Sequence, residues 1–267
     1  MANLALLAEE FKKEGLSEAN AEARVCQDIV LTAIAESRLS QYVTIKGGVI
    51  MRSITGNVRR ATQDIDLDFI RYSFEEDSIH RFINNLNCLE GISIKITGTI
   101  EELSLQEYRG KRVYVRISDD SGHSFTSKID LGVHKNMQIE QEEYCFDVCM
   151  NDEGASLLIN SKEQIFAEKL RALLRFGPLS TRYKDVFDLC YLTDFVDRLR
   201  LKECIKTYIL DDPDIWERDL EAIRKRVRMT FMNRSFRNHV ERSGRANWLR
   251  MKATLAFDKI EEFLTTF

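Results

Sequence analysis

The spacing of apolar residues changes once along the chain. Up to about residue 150, short runs alternate apolar and polar side chains, as half-buried strands do, and helical segments stand between them. From Ser161 onward the apolar residues recur with a helical period. The pattern predicts a mixed α/β domain over residues 1–158, followed by an α-helical domain over residues 159–267.

The same periodicity predicts individual elements. Predicted strands cover residues 42–46, 64–70, 92–100, 112–118, 125–134 and 144–150, with a hairpin turn at 119–122. Predicted helices cover 2–14, 17–37, 49–54, 73–87, 161–176, 182–195, 199–210, 214–232 and 245–265. Ser73 is expected to cap its helix, and Ser161 with Gln164 has the capping-box pattern.

Aspartates occupy alternate positions in the strand predicted at 64–70. Side chains two residues apart point to one face of a sheet, so Asp64, Asp66 and Asp68 project together. Like charges on one face repel each other unless a cation lies between them. Hard divalent cations prefer carboxylate oxygens and keep water and phosphate oxygens in their shell. We therefore predict that this strand binds Mg²⁺ or Mn²⁺.

Two glycines stand upstream of these aspartates. Gly47 and Gly48 follow the strand predicted at 42–46, where a glycine turn lets backbone N–H groups approach an anion. Arg59 and Arg60 precede the aspartates and either contact substrate phosphates or screen the carboxylates. Together these parts indicate a metal–nucleotide site.

The string Lys46-Gly47-Gly48, with Arg-x-x-Thr-x-Asp-Ile-Asp-Leu from Arg59 to Leu67, is similar to the signature of nucleotidyltransferases related to DNA polymerase beta. More narrowly, it resembles the AbiEii/AbiGii-type nucleotidyltransferase toxins of type IV toxin–antitoxin systems. The resemblance implies an α+β fold, with an N-terminal nucleotidyltransferase-like mixed sheet and flanking helices, followed by an α-helical C-terminal domain. It also implies transfer of NMP from an NTP to a tRNA 3′ end, and an antitoxin as partner.

Further residues match the family pattern. The resemblance implies that Asp64 and Asp66 are the metal pair, which leaves Asp68 as a supporting or surface residue. Two metal ions usually need a third carboxylate on an adjacent strand, and Asp130 supplies one, as second ligand or general base; the alternative is an aspartate that faces solvent. Thr62 matches a Ser/Thr whose hydroxyl lies near the metal, although it could equally cap a turn.

Two later segments extend the match. Lys169 lies in the helix predicted at 161–176, and the resemblance implies that it holds triphosphate oxygens. Asp185 is implied to orient that lysine, and Arg182 and Lys184 to contact phosphate. The alternative interpretation of these residues is a set of surface ion pairs.

Composition narrows the class of protein. The 267 residues include only 2 prolines and 12 glycines, which argues against long disordered segments. No apolar run approaches the roughly 20 residues that span a bilayer, and we expect no secretory signal and a cytoplasmic location. The net charge is −4, but residues 161–267 hold 22 basic against 17 acidic side chains. A basic rear half favours a polyanionic substrate.

The basic residues are concentrated near the C-terminus. Residues 224–250 contain nine Lys and Arg and a single acid, with four aromatic side chains between them: Phe231, Phe236, His239 and Trp248. They predict an RNA-binding surface, with aromatics that either stack on bases or form the helical core. Two other functions stay open: transfer to a small molecule or protein hydroxyl, and non-catalytic binding of nucleotide or RNA.

Overall fold

The computed structural model describes residues 3–103 and 110–267. The chain divides between Asn160 and Ser161 into two compact units. The first unit carries the sheet and the second is helical. No helix in the described ranges is long and apolar enough to cross a membrane.

The first unit builds its sheet between helices. The helices are α1 (Leu4–Lys13), α2 (Glu18–Glu36), α3 (Gly47–Thr55) and α4 (Glu76–Asn85). The strands are β1 (Val43–Lys46), β2 (Ile65–Phe69), β3 (Ile92–Ile96), β4 (Glu101–Leu103), β5 (Gly110–Asp119), β6 (Ser124–Val133), β7 (Glu142–Val148) and β8 (Asn151–Ile159).

These strands form one mixed sheet. Their order is β3-β5-β6-β2-β1-β8-β7, and β4 pairs with β5. The central strand β2 runs antiparallel to β1 and parallel to β6. Along β2, Ile65, Leu67 and Phe69 are fully buried, and the two aspartates between them point to the opposite face. The alternation that predicted the strand therefore separates an apolar face from a charged one.

The α+β class is confirmed, but the periodicity missed β4 and β8. The strand β4 has three residues, too few to show a period. The turn before β8 consists of Cys149 and Met150, which are not typical turn residues. The predicted cap at Ser73 is also wrong, because α4 begins at Glu76 and Glu75 occupies its N-cap position. Ser73 instead closes the preceding turn, where its Oγ accepts a hydrogen bond from the Glu75 N–H at 3.4 Å.

The second unit is built from helices among its described residues. They are α5 (Lys162–Phe176), α6 (Tyr183–Leu192), α7 (Arg198–Ile205), α8 (Leu220–Met232), α9 (Arg234–Arg242) and α10 (Ala253–Thr265), and Lys206–Leu210 continues α7 as a π-helix. The capping box is confirmed, since Ser161 Oγ accepts the Gln164 N–H and Gln164 Oε1 accepts the Ser161 N–H.

Two of the predicted helices in this unit were misplaced. The helix predicted at 214–232 begins at Leu220, because Asp219 caps it by accepting the Ala222 N–H at 2.8 Å. The helix predicted at 245–265 begins only at Ala253. The short helix α9 was missed, because Asn233 alone separates it from α8.

Candidate functional site

A row of charged side chains crosses four neighbouring strands on one face of the sheet. Lys46 of β1 lies opposite Asp66 of β2, which lies opposite Asp130 of β6. Asp130 in turn lies opposite Arg112 of β5. Directly opposed residues of paired strands share a face. Two carboxylates therefore stand side by side between two cations.

Asp66 is a carboxylate whose surroundings disfavour its charge. Burial raises its pKa above the ordinary value, Lys46 lowers it, and the charges of Asp130 and Asp64 raise it again, so that the net shift is upward. Because burial is the largest cause, the ionised carboxylate is less stable here than in water, and a bound cation would favour the ionised form.

The helix α3 starts against these carboxylates. The two glycines are its first residues and do not form a separate turn, which corrects the expectation from sequence. Gly47 has φ +67°, and a Cβ there would lie 2.3 Å from Asp66 Oδ2, while a Cβ on Gly48 would lie 2.4 Å from Thr62 Oγ1. Because neither glycine has a side chain, the N-terminus of α3, which is the positive end of its dipole, lies against the carboxylates.

We expect Gly47→Ala to impair the site more than the fold. The added Cβ would displace the Asp66 carboxylate, and the left-handed backbone would cost about 1–2 kcal/mol. The measurements are transfer activity, with a large loss expected, and Tm, with a modest decrease. Gly56→Ala is the matched control, because Gly56 has φ +57° but no atom within 4 Å of a Cβ. Equal activity losses in the two variants would contradict this expectation.

Asp130 is held by a two-pronged ion pair. Arg112 Nε and Nη2 donate to Asp130 Oδ1 and Oδ2, both at 2.7 Å. The hydrogen bonds to Asp130 raise the pKa of the Arg112 guanidinium. Asp130 is 6% exposed, so the alternative of an aspartate that faces solvent is wrong. Its carboxylate is positioned inside the charged row.

The other two aspartates of the strand pair with lysines. Asp64, just before β2, lies 2.9 Å from Lys128 Nζ, and its side chain is 39% exposed. Asp68 lies 2.7 Å from Lys46 Nζ and is buried. A Cβ on Gly132 would lie 2.2 Å from Asp68 Oδ1, so the glycine makes room for this pair. Asp68 is thus a buried partner of Lys46 and not a surface residue.

The described residues contain no group of three or more His, Cys, Asp or Glu side chains arranged to hold a metal ion. Asp64 is paired with Lys128, and Asp130 is paired with Arg112. The chemistry of Asp64 and Asp66 nevertheless fits a divalent cation, since one carboxylate is accessible and burial disfavours the unneutralised charge of the other. Asp130 could bind such a cation only through the carboxylate lone pairs that do not accept hydrogen bonds from Arg112.

The loop before β2 packs against α2 and α3. The Gln27 side chain donates to the Thr62 carbonyl at 2.9 Å, and the Thr62 hydroxyl faces Gly48. Arg59 is exposed and Arg60 is buried. Thr62 therefore lies against the first turn of α3. Arg59 is at the surface, whereas Arg60 belongs to the interior.

A second cluster of charges lies within the helical unit. Lys169 Nζ of α5 lies 2.6 Å from Asp185 Oδ1 and 2.8 Å from Asp188 Oδ2, both on α6. Asp188 is fully buried, and its Oδ1 accepts the Trp248 Nε1–H at 2.9 Å. The structure thus brings the predicted pair Lys169 and Asp185 together. It also adds Asp188, one helical turn beyond Asp185, and Trp248 to this cluster.

Arg182 and Lys184 lie at the start of α6, next to this cluster. Arg182 is the exposed N-cap residue, and Lys184 is half-buried in the first turn. Helix N-termini attract anions. Their placement is compatible with the predicted phosphate contacts.

The aromatic side chains of residues 224–250 belong mainly to the core. Phe231, Phe236 and Trp248 are buried, which rules them out as platforms for bases. His239 is exposed and stacks on Tyr183, with ring centroids 5.9 Å apart. The exposed basic residues of this segment are Lys225, Arg228, Arg234, Arg237, Arg242, Arg245 and Arg250.

Sequence reasoning missed the cations of the sheet, although two had a signal. Lys128 and Asp130 are two apart on one strand and so share a face. The predicted hairpin turn at 119–122 brings Arg112 to within one residue of the position opposite Asp130, and the structure pairs the two directly. No local signal connected Lys46 with Asp68.

The match to a family model shows that the class of protein is a nucleotidyltransferase. The family model of the AbiEii nucleotidyl transferase toxin of type IV toxin–antitoxin systems matches residues 29–266. The chain belongs to that family, as the motif predicted. No curated protein matches the chain.

Among solved structures, the chain is similar to an antigenic nucleotidyltransferase-like protein from Paracoccidioides brasiliensis. The two share 11% sequence identity with a TM-score of 0.49, over 80% of this chain and 92% of that one.

Proposed function

We propose that this toxin transfers NMP from an NTP to a tRNA 3′ end in a reaction that depends on Mg²⁺ or Mn²⁺. The observation that carries the proposal is the carboxylate row against the first turn of α3, where burial and two neighbouring aspartates disfavour the charge of Asp66. A divalent ion would stabilise the ionised Asp66, and the helix start would attract the phosphates of a nucleotide.

Asp64 and Asp66 would hold the metal, with Asp130 as a further ligand. When bound, the ion draws negative charge away from the phosphate oxygens during transfer. Gly47 and Gly48, in the first turn of α3, would seat the phosphates, and the Gly48 N–H also donates to Asp66. Arg59 and Thr62 border the same place.

In the reaction, the acceptor hydroxyl oxygen forms a bond to the α-phosphorus, and the bond from that phosphorus to the bridging oxygen breaks to release pyrophosphate. Arg112 holds Asp130 in place, and the carboxylate lone pairs that the guanidinium leaves unused would accept the hydroxyl proton. Lys169, oriented by Asp185, is the proposed triphosphate-holding cation, with Arg182 and Lys184 as further phosphate contacts.

Incubation with each α-labelled NTP, Mg²⁺ and total RNA tests the reaction and the acceptor together. Label in tRNA, lost on addition of EDTA, supports the proposal. Label in protein or in a small molecule would identify the alternative acceptors. The absence of any label, with growth arrest unchanged by Asp64→Ala, would leave a non-catalytic binding module as the function.

The exposed arginines of α9 and the following loop support RNA as the acceptor. We expect the triple variant Arg234→Ala, Arg242→Ala and Arg245→Ala to weaken tRNA binding and to reduce the slope of log affinity against log salt, by about one for each phosphate that the variant no longer neutralises. Fluorescence anisotropy over a salt series measures both. Arg116→Ala, an exposed arginine on β5, is the control and should leave the slope unchanged.

Membership of a type IV toxin–antitoxin family implies an antitoxin as partner. We propose that its cognate antitoxin relieves the toxicity and that the protein acts in the cytoplasm. Co-expression with the neighbouring gene, with growth as the measurement, tests the first part. Unrelieved growth arrest would contradict it.

A further inference from the structure

The proposed triphosphate-holding lysine belongs to a chain of four hydrogen-bonded side chains. Lys169 lies between Asp185 and Asp188, which differ in their surroundings. The Asp185 side chain is 17% exposed, whereas Asp188 is 0% exposed. Asp188 in turn accepts a hydrogen bond from Trp248, a residue 60 positions further along the chain.

A fully buried carboxylate depends on its protein partners for position. Water does not reach Asp188, so donors of the protein must satisfy its oxygens. Lys169 Nζ occupies Oδ2 and Trp248 Nε1 occupies Oδ1. The tryptophan hydrogen bond therefore restricts rotation of the carboxylate, and with it the place of the lysine ammonium.

Trp248 is itself held firmly. Its ring is 2% exposed and lies 5.5 Å from the Tyr191 ring. The neighbouring Asn247 closes the segment on itself, because its side chain exchanges two hydrogen bonds with the Met251 backbone. The buried indole has a single donor, Nε1–H, and its hydrogen bond holds the Asp188 carboxylate in one position.

We propose that Trp248 is a positioning residue for nucleotidyl transfer, which holds Asp188 so that Lys169 is presented to the triphosphate. The inference rests on the proposed role of Lys169. Asp185, the more exposed partner, is the one that phosphate oxygens replace when the nucleotide binds. Asp188 stays paired with Lys169 throughout, because the hydrogen bond from Trp248 prevents rotation of the Asp188 carboxylate.

Kinetics separate positioning from simple structural support. We expect Trp248→Phe, which keeps the ring and removes the donor, to raise KM for NTP about tenfold, with a smaller change in kcat. Trp216→Phe is the matched control, since Trp216 is 90% exposed and should leave both constants unchanged. A folded Trp248→Phe protein with wild-type KM would overturn the proposal.

A second measurement does not require the Trp248 variant to fold. The chain has two tryptophans, so Trp216→Phe leaves Trp248 as the sole indole fluorophore. Binding of an NTP analogue with a methylene group between the α- and β-phosphorus should change the Trp248 fluorescence, because phosphate alters the charge around Lys169 and Asp188. Lys169→Met should abolish that change.

Equilibrium dialysis of the same analogue distinguishes the two ways in which this experiment fails. Analogue that binds without altering the fluorescence overturns the positioning role of Trp248 alone. The absence of analogue binding to the Trp216→Phe protein, at millimolar nucleotide and Mg²⁺, overturns the proposed function together with this inference.

Discussion

Replacement of Asp66 by asparagine should abolish nucleotidyl transfer and yet stabilise the protein at neutral pH. The activity loss should be at least about a thousandfold, because several kcal/mol of charge stabilisation depend on the metal ligands and each 1.36 kcal/mol is a factor of ten. The gain in stability follows from the raised pKa of Asp66. Asparagine has the same shape but never carries the charge that burial and the neighbouring aspartates disfavour.

The pH dependence of this gain has a definite sign. The folded protein binds the Asp66 proton more tightly than the unfolded chain does, because the folded pKa is raised. The neutral carboxyl therefore favours folding at low pH, and this contribution is lost as the pH rises from the ordinary carboxyl pKa through the folded one. Asp66→Asn should thus become more stable than wild type above the ordinary carboxyl pKa. The difference should stay constant once the pH exceeds the folded pKa.

Urea unfolding at several pH values, without divalent metal, measures the difference. Asp68→Asn is the matched control on the same face of the same strand. It removes the buried carboxylate that lies 2.7 Å from the half-buried Lys46 ammonium, so it should destabilise the protein. Both variants destabilised to the same degree at neutral pH would contradict the electrostatic interpretation of Asp66.

Local patterns were sufficient for one half of the candidate site. The alternation of Asp64 and Asp66 with apolar residues predicted both the strand and the shared face, because the period of a strand is a property of the backbone. The third carboxylate is different. Asp130 comes beside Asp66 only because β6 pairs in parallel with β2, and sheet order is a long-range choice. Its identification depended on family resemblance.

The helical unit shows the same division. The capping box at Ser161 and the helix-ending Gly177 predicted α5, since each signal involves residues only a few positions apart. The hydrogen bond from Trp248 to Asp188 spans 60 residues and leaves no mark in any local window. The aromatics of residues 224–250 were equally ambiguous, because a ring at helical spacing suits a core or a surface until the neighbouring helices are known.

Replacement of Arg112 by methionine should destabilise the protein strongly and make that stability depend on divalent metal. Methionine keeps the apolar stem but removes both hydrogen bonds to Asp130, which is 6% exposed. Removing one member of a buried ion pair costs about 3 kcal/mol. Thermal unfolding should show a Tm lower by about 6–12 °C, given about 2–4 °C per kcal/mol at this size.

The variant also tests whether the carboxylates suit a cation. Without the guanidinium, Asp130 adds its uncompensated charge to those of Asp64 and Asp66, so Mn²⁺ should raise the Tm of Arg112→Met more than that of wild type. The double variant Arg112→Met with Asp130→Asn removes the unpaired charge and should recover most of the stability. Mn²⁺ should raise its Tm little further. Wild-type stability in Arg112→Met, or an equal response to Mn²⁺ in all three proteins, would show that Arg112 is not the cation that balances this cluster.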